Sequence, residues 1–258
     1  MKKYTYELRN GQKIKVEKDL KKLLNLNHLK YTNKTVCCGE LDFPEILCDM
    51  KEYPDYIALY NQPKDYHRTD HTCVGFYNFD NEMDGQHGLY NAIKYDNKKD
   101  LEFFKKRFAG VRYFMMPDYS IFGDVQAYVN HNRMGIAREV SIWLTMENDS
   151  IVIPNLAAGS TKDFKYMFDG YERVKVAGIS TKSKLTDKPN RDLLQLTINE
   201  AIDRMPCLET FIVYDVSAEN KDANLLFEKA IDLGIKVIIP DNSLKIRNRI
   251  LKIRRDAK

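Results

Sequence analysis

The sequence predicts an α/β protein made of repeated βα units around a parallel sheet. Three observations carry that expectation. Short, almost continuous apolar runs recur through residues 56–239 and alternate with helix-length segments, the pattern of strands buried on both faces and joined by crossovers. Several runs stop at a proline or an aspartate: 111–116 leads into Pro117-Asp118, 151–153 into Pro154-Asn155, and 235–239 into Pro240-Asp241. Seven candidate strands fall in this series, close to the eight of a closed barrel. An irregular (β/α) barrel-like arrangement is therefore the expectation, with an open doubly wound sheet as the alternative.

The elements follow in order. Residues 4–8 and 13–16 alternate apolar and polar, and Arg9-Asn10-Gly11-Gln12 lies between them, so an N-terminal β-hairpin is expected. Residues 18–29 place Leu20, Leu23, Leu24 and Leu26 on or near one helical face and lysines opposite. Residues 30–55, with Gly39, Pro44 and Pro54, read as irregular. Strands are expected at 56–60, 73–79, 111–116, 151–154, 173–180, 210–214 and 235–239. Helices are expected at 99–108, 124–146 (with Gly135 a candidate break), 162–168, 193–205 (opened by Asn190 or Asp192), 221–233 and 244–255. Residues 1–34 would form a basic hairpin and helix appended to a single α/β domain, 35–258, that ends in a basic helix.

Composition narrows the class. The chain has 258 residues, 43% apolar and 30% charged, without a low-complexity tract, and can bury a sizeable core. No run approaches the ~20 apolar residues of a membrane span, and the N-terminus lacks the apolar stretch of a secretory signal, so a cytoplasmic protein is expected. Cys37, Cys38, Cys48, Cys73 and Cys207 form no CxxC pair and read as reduced thiols. The net charge of +4 is unevenly spread. Residues 1–34 carry ten Lys/Arg against three Asp/Glu, and 243–258 carry seven against one, which leaves −9 for 35–242. Basic ends suit phosphate backbones; an acidic body suits a divalent cation.

In a parallel βα series the C-terminal strand ends gather at one rim, where α/β proteins build their sites. Those positions are Asp80, Asp118, Asn155, Ser180, Thr181, Asp215 and Asp241. Crowded carboxylates repel unless a proton, a cation or a basic side chain intervenes, and hard ions such as Mg²⁺ or Mn²⁺ take such oxygens. Asp118, Asp215, Asp80 and Asn155 are thus the catalytic candidates. Asp118, Asp215 and Asp241 are the metal candidates. Ser180, Thr181, Asn132 and Arg133 are the substrate-binding ones, with Arg133 or Arg138 available to neutralise rim carboxylates. The competing explanation is that aspartates after strands cap helices and make turns. Ala158-Gly159-Ser160-Thr161 before a helix is a weak anion signal. His67 and His71, four apart, have ligand spacing but loop-like flanks. On the final helix, Ile246, Ile250 and Ile253 would dock while Arg247, Arg249, Lys252 and Arg254 face solvent as nucleic-acid contacts. The 16 tyrosines and 12 phenylalanines fall mostly in apolar runs and read as core.

Several blocks, in order, resemble the domain-of-unknown-function family numbered 4417. They are 57–61 (Ile-Ala-Leu-Tyr-Asn), 76–82 (Phe-Tyr-Asn-Phe-Asp-Asn-Glu), 108–111 (Phe-Ala-Gly-Val), 117–120 (Pro-Asp-Tyr-Ser), Gln126 with Asn132-Arg133, 151–155 (Ile-Val-Ile-Pro-Asn), 168–170 (Phe-Asp-Gly) and 176–181 (Val-Ala-Gly-Ile-Ser-Thr). Met116 stands where the family has serine before Pro-Asp, and Ala157 or Ala158 where it has an aromatic. The resemblance implies a bacterial or phage mobile-element setting and marks Asp80, Asp118 and Asn155; it implies no activity. Three functions remain open from sequence: a metal-assisted hydrolase or transferase acting on a phosphate-bearing or nucleotide-like substrate at the rim, a non-catalytic nucleic-acid-binding accessory protein using the basic termini, and a factor that binds a host protein.

Overall fold

A computed structural model describes residues 3–7, 13–17 and 29–256. Strands β1 (Lys3–Glu7) and β2 (Lys13–Glu17) pair antiparallel, Lys3 opposite Glu17 and Glu7 opposite Lys13, so the N-terminal hairpin is present. The helix expected over 18–29 lies, except for Leu29, outside the described residues; a short helix α1 (Leu29–Thr32) starts there. Strands β3 (Cys37–Cys38) and β4 (Phe43–Pro44) make a second small antiparallel pair within the region read as irregular.

From Tyr56 onward strands and helices alternate. Strands β5 (Tyr56–Leu59), β6 (Thr72–Gly75), β7 (Tyr113–Met115) and β8 (Ile151–Ile153) form one parallel sheet in that order. Strands β9 (Asn155–Leu156), β10 (Val176–Ser180), β11 (Thr210–Tyr214) and β12 (Lys236–Ile238) form a second, also parallel. The run expected as one strand, 151–154, is thus cut at its proline. Pro154 has no N–H for a ladder, so the chain leaves the first sheet and enters the second across a single residue. Its carbonyl accepts from Gly178 N–H at 2.7 Å, while Met116 N–H donates to Ile153 O at 2.8 Å. At the far edges Tyr56 and Asp241 form a parallel bridge, with Ile57 N–H on Asp241 O at 2.8 Å and Asp241 N–H on Asp55 O at 3.0 Å. Side chains also link the two halves. The Met115 side chain fills the space over Gly178, where a Cβ would lie 2.0 Å from its Cε, and Tyr77 stacks on Tyr214 with ring centroids 4.4 Å apart.

The helices are α2 (Asp80–Met83), α3 (Leu89–Lys94), α4 (Lys98–Arg107), α5 (Ala127–Asn148), α6 (Phe164–Met167), α7 (Lys188–Arg204), α8 (Lys221–Leu226), α9 (Glu228–Asp232) and α10 (Ser243–Asp256). Gly135 stays within α5: a helical glycine costs only about 1 kcal/mol, and the buried Val140, Trp143 and Leu144 outweigh it. Helix α7 opens earlier than expected, because Asp187 accepts from Asn190 N–H at 3.2 Å and Pro189 sits in the first turn. The single helix expected over 221–233 is divided at Phe227, whose ring is buried against Phe211. The strand expected over 73–79 leaves the sheet after Gly75, and Phe76 enters an aromatic cluster with Tyr60, Phe108 and Phe114. The strand expected over 173–180 begins at Val176, after a turn in which Val174 N–H bonds Tyr171 O.

Helix α10 lies on the body in a different rotation from the expected one. Ile246 packs against the core, but Ile250, Leu251 and Ile253 are exposed. Polar side chains set that rotation: Asn248 donates to Val216 O at 2.7 Å, Arg249 pairs with Asp241, and Lys245 is buried. All five cysteines are free, Cys48 and Cys73 in the core. Among the described residues no helix is long and apolar enough to cross a membrane.

Candidate functional site

Strands that run parallel deliver their C-terminal ends to one side, and there a cleft of about 540 Å³ opens. The segments after β5, β6, β7, β9 and β10 line it, together with the start of α7. Its floor carries Asp118. Pro117 ends the apolar run of β7, and the next residue turns its carboxylate toward the neighbouring strand end. There Asn155, the residue after Pro154, donates from Nδ2 to Asp118 Oδ1 at 2.7 Å. Asn155 is buried, and its Oδ1 accepts from the Tyr77 hydroxyl at 2.9 Å. A buried asparagine amide with both ends engaged has one orientation, so Tyr77 and Asn155 aim Asp118. Burial, the largest influence, lifts the Asp118 carboxyl above the ordinary aspartate range, and Asp80 adds to the lift. Lys184 opposes most strongly, followed by the Asn155 hydrogen bond and Lys182. Burial and Asp118 hold Tyr77 well above the usual tyrosine value, so it stays a proton donor to Asn155.

The two lysines come from the loop after β10. Lys182 Nζ donates to Tyr77 O at 3.2 Å, and Lys184 lines the same cleft. Between them Ser183 holds φ at 62°, in the left-handed region that a non-glycine residue enters at a cost. Ser180, buried at the end of β10, also lines the cleft and accepts from Lys182 N–H at 3.2 Å.

The walls are braced. Asp80 Oδ1 accepts from the Ser120 amide and hydroxyl, both at 3.1 Å, and Asp80 Oδ2 pairs with Arg133 at 2.7 Å. Arg133 also donates to Ser120 O and lies over the Phe122 ring, 5.2 Å from its centroid. Buried Asn130 clamps Phe122 from both backbone sides: Phe122 N–H donates to its Oδ1 at 3.2 Å, and its Nδ2 donates to Phe122 O at 2.8 Å. The same Nδ2 reaches Asp163 Oδ1 at 3.3 Å. Gly123 and Gly159 touch where the loops after β7 and β9 meet; a Cβ on Gly123 would lie 2.5 Å from Gly159 O. On the opposite wall Asn61 and Asn78 both donate to Glu82 Oε2, at 2.7 and 3.0 Å.

The rim residues separate into two groups. Asp118 and Ser180 line the cleft, and Asn155, Asp80 and Arg133 stand behind its lining, bonded to Asp118 and Ser120. Asp215 and Thr181 lie apart from its lining and engage each other, Thr181 Oγ1 donating to Asp215 Oδ1 at 2.6 Å. Asp215 Oδ2 further accepts from the Ser217 amide at 3.2 Å and from its hydroxyl, the pattern of a turn residue. Asp241 is paired with Arg249 at 2.8 Å. Asp118 is therefore the one member of the expected metal set that lines the cleft. Among the described residues no three His, Cys, Asp or Glu side chains gather as a metal-holding group. Asn132 is exposed and does not line the cleft. Arg138 is buried and donates to the carbonyls of Pro44, Met167 and Asp169, between the rings of Phe43 and Tyr171, instead of reaching the rim. The amides of Gly159 and Ser160 both donate to Asp163 Oδ2 at 2.9 Å, so the chain's own carboxylate takes the place foreseen for an external anion. His67 and His71 lie on a loop, as read. On α10, Arg249 and Lys252 are engaged with Asp241 and Glu219, while Arg247 and Arg254 are exposed.

Sequence reasoning passed over Tyr77, Phe79, Phe122, Lys182 and Lys184. The lysines carried a usable signal: Lys-Ser-Lys begins two residues after a strand-ending serine, well within reach of the rim. The aromatics carried none, since their composition is that of the core.

A family model described as Domain of unknown function (DUF4417) matches residues 37–233, which takes in every residue of the cleft. No curated protein and no solved structure matches the chain.

Proposed function

The chain belongs to the DUF4417 family, and from that premise we propose that its rim cleft is the site of an enzyme acting by general acid–base chemistry on a phosphate-bearing substrate. The carrying observation is Asp118, a carboxyl lifted by burial, aimed by Asn155 and Tyr77, and facing two lysines. A general acid or base works best when its pKa moves toward the working pH, and burial does that to Asp118. Protonated, it gives its proton to a leaving oxygen; ionised, it takes one from an attacking water or hydroxyl. Lys182 and Lys184 hold the phosphate oxygens, and the strained Ser183 keeps both lysines on the cleft side. In this reading the two parallel sheets act as one irregular barrel, joined through Pro154 on one side and the Tyr56–Asp241 bridge on the other.

A divalent ion enters this scheme with the substrate. Mg²⁺ on phosphate substrates is held by one or two carboxylates plus the phosphate oxygens. Asp118 would supply the protein side, to Mn²⁺ as to Mg²⁺, only where it does not itself serve as the acid, since a carboxylate bound to either ion is ionised and has no proton to give. Asp215 and Asp241 are engaged elsewhere.

The test is calorimetric titration with ribose 5-phosphate, alongside turnover of p-nitrophenyl phosphate with and without Mg²⁺. Lys184→Met lowers ribose 5-phosphate affinity at least tenfold, the scale of one charge-assisted hydrogen bond. Asp118→Asn keeps that affinity but lowers turnover by about 10²–10⁴. Unchanged affinity in a Lys182→Met/Lys184→Met protein that still melts cooperatively sinks the proposal.

A further inference from the structure

Resting on the phosphate-binding reading of this cleft, we infer that its ligand is a nucleoside monophosphate, whose base stacks on Phe79 and Phe122 while its phosphate meets Lys182 and Lys184. Phe79 is 77% exposed and Phe122 44% exposed, and both line the cleft. An apolar ring left in water forgoes the free energy of burial, and here two do so, at least in part, within one cavity.

Both are held at their roots. Asn130 clamps the backbone of Phe122 on its N–H and its carbonyl, and the Arg133 guanidinium backs its ring. Phe79 directly precedes Asp80, whose carboxylate is tied to Ser120, two residues before Phe122. Arg133 donates to Asp80 and to Ser120 O, so one cation braces both segments. With both segments braced and the Phe122 ring backed by Arg133, the two rings offer a stacking platform that loses little freedom when a base arrives.

A separate observation concerns the base edge. Asn78 lines the same cleft, and the bond from its Nδ2 to Glu82 fixes the direction of its amide. Its Oδ1 is a buried acceptor with no donor among the described residues. A buried acceptor without a donor is costly. Reached by a ligand, it would take a donor: the exocyclic amino group of adenine or cytosine, or in uracil only the ring N3–H, since uracil's exocyclic carbonyl oxygens accept. A cleft of about 540 Å³ lies within the range of small-molecule sites.

Calorimetric titration with AMP, UMP, ribose 5-phosphate and a 12-nucleotide single strand tests this. AMP binds at least tenfold tighter than ribose 5-phosphate, and UMP falls below AMP. Phe79→Leu and Phe122→Leu erase the AMP advantage without changing ribose 5-phosphate affinity, and both keep the wild-type melting temperature within a few degrees. Equal affinity for AMP and ribose 5-phosphate, with both binding through Lys184, overturns the base assignment while leaving the phosphate reading intact. Absence of all binding overturns both. Tighter binding of the single strand than of AMP, with a steep salt dependence, overturns the mononucleotide assignment.

Discussion

Asp118 and Asp215 occupy the same kind of position, a carboxylate after an apolar strand, and live in opposite surroundings. Asp215 accepts from Thr181 and twice from Ser217; Asp118 accepts from Asn155 and is otherwise penalised by burial. The consequence is a sign that can be measured. The folded chain binds the Asp118 proton more tightly than the unfolded chain, whose aspartates titrate near ~3.9. The stabilisation from that proton is complete below the unfolded value and is lost as pH rises through the folded one. Asp118→Asn is therefore expected to be more stable than wild type at pH 7, with the difference closing by about pH 4. Asp215→Ala should lose about 2–4 kcal/mol at pH 7, because it strands three donors. Urea unfolding of the three proteins between pH 3.5 and 8 decides the matter. An Asp118→Asn protein less stable than wild type at pH 7 would make Asp118 one more turn residue. Sequence alone made these two aspartates equal, because the strand–Asp pattern is local, whereas Asn155 lies 37 positions from Asp118 and Thr181 lies 34 from Asp215.

At the scale of elements, the cleft depends on how closely two loops approach. Gly123 and Gly159 have ordinary negative backbone angles, and it is contact that excludes a side chain there. Gly123→Ala would drive a Cβ against the Gly159 carbonyl, a backbone atom that has little room to yield. A cost of about 1–3 kcal/mol is expected, the range for overpacking. Gly135 is the control. Its Cβ would meet only Phe43 Cε1, at 3.7 Å, inside a regular helix, so Gly135→Ala should raise stability by about 0.5–1 kcal/mol. Chemical denaturation of both variants reads out the pair; equal effects would mean that the loops can part. Most helices and strands were legible from periodicity and caps. Their ends were less so, as at Asp187 and Pro154, where a cap and a missing N–H overrode the apolar pattern.

At the scale of the whole molecule the question is whether the two sheets behave as one. Ile57 and Asp241 donate across the seam between their outer edges, and Met115 reaches over Gly178 from the other sheet. If the ring is closed, the Ile57 and Asp241 amides exchange with solvent as slowly as those of Val213 and Phe114, within about a factor of ten, because only a large opening exposes them. Exchange faster by a thousandfold or more would describe two independent sheet edges and return the open-sheet alternative. Hydrogen exchange followed by NMR separates the two.

By itself the sequence determined the α/β class, the order of strands and helices, the N-terminal hairpin and the rim on which Asp118 and Asn155 stand, because each follows from local periodicity, turn chemistry and the shared direction of parallel strands. Only the tertiary structure decided which rim residues meet. The Tyr77–Asn155–Asp118 relay joins three strand ends. The lysine loop arrives from a fourth, and Phe79 and Phe122 are exposed because each presents ring surface to the open cleft. These are contacts between residues distant in sequence, and no local pattern encodes them.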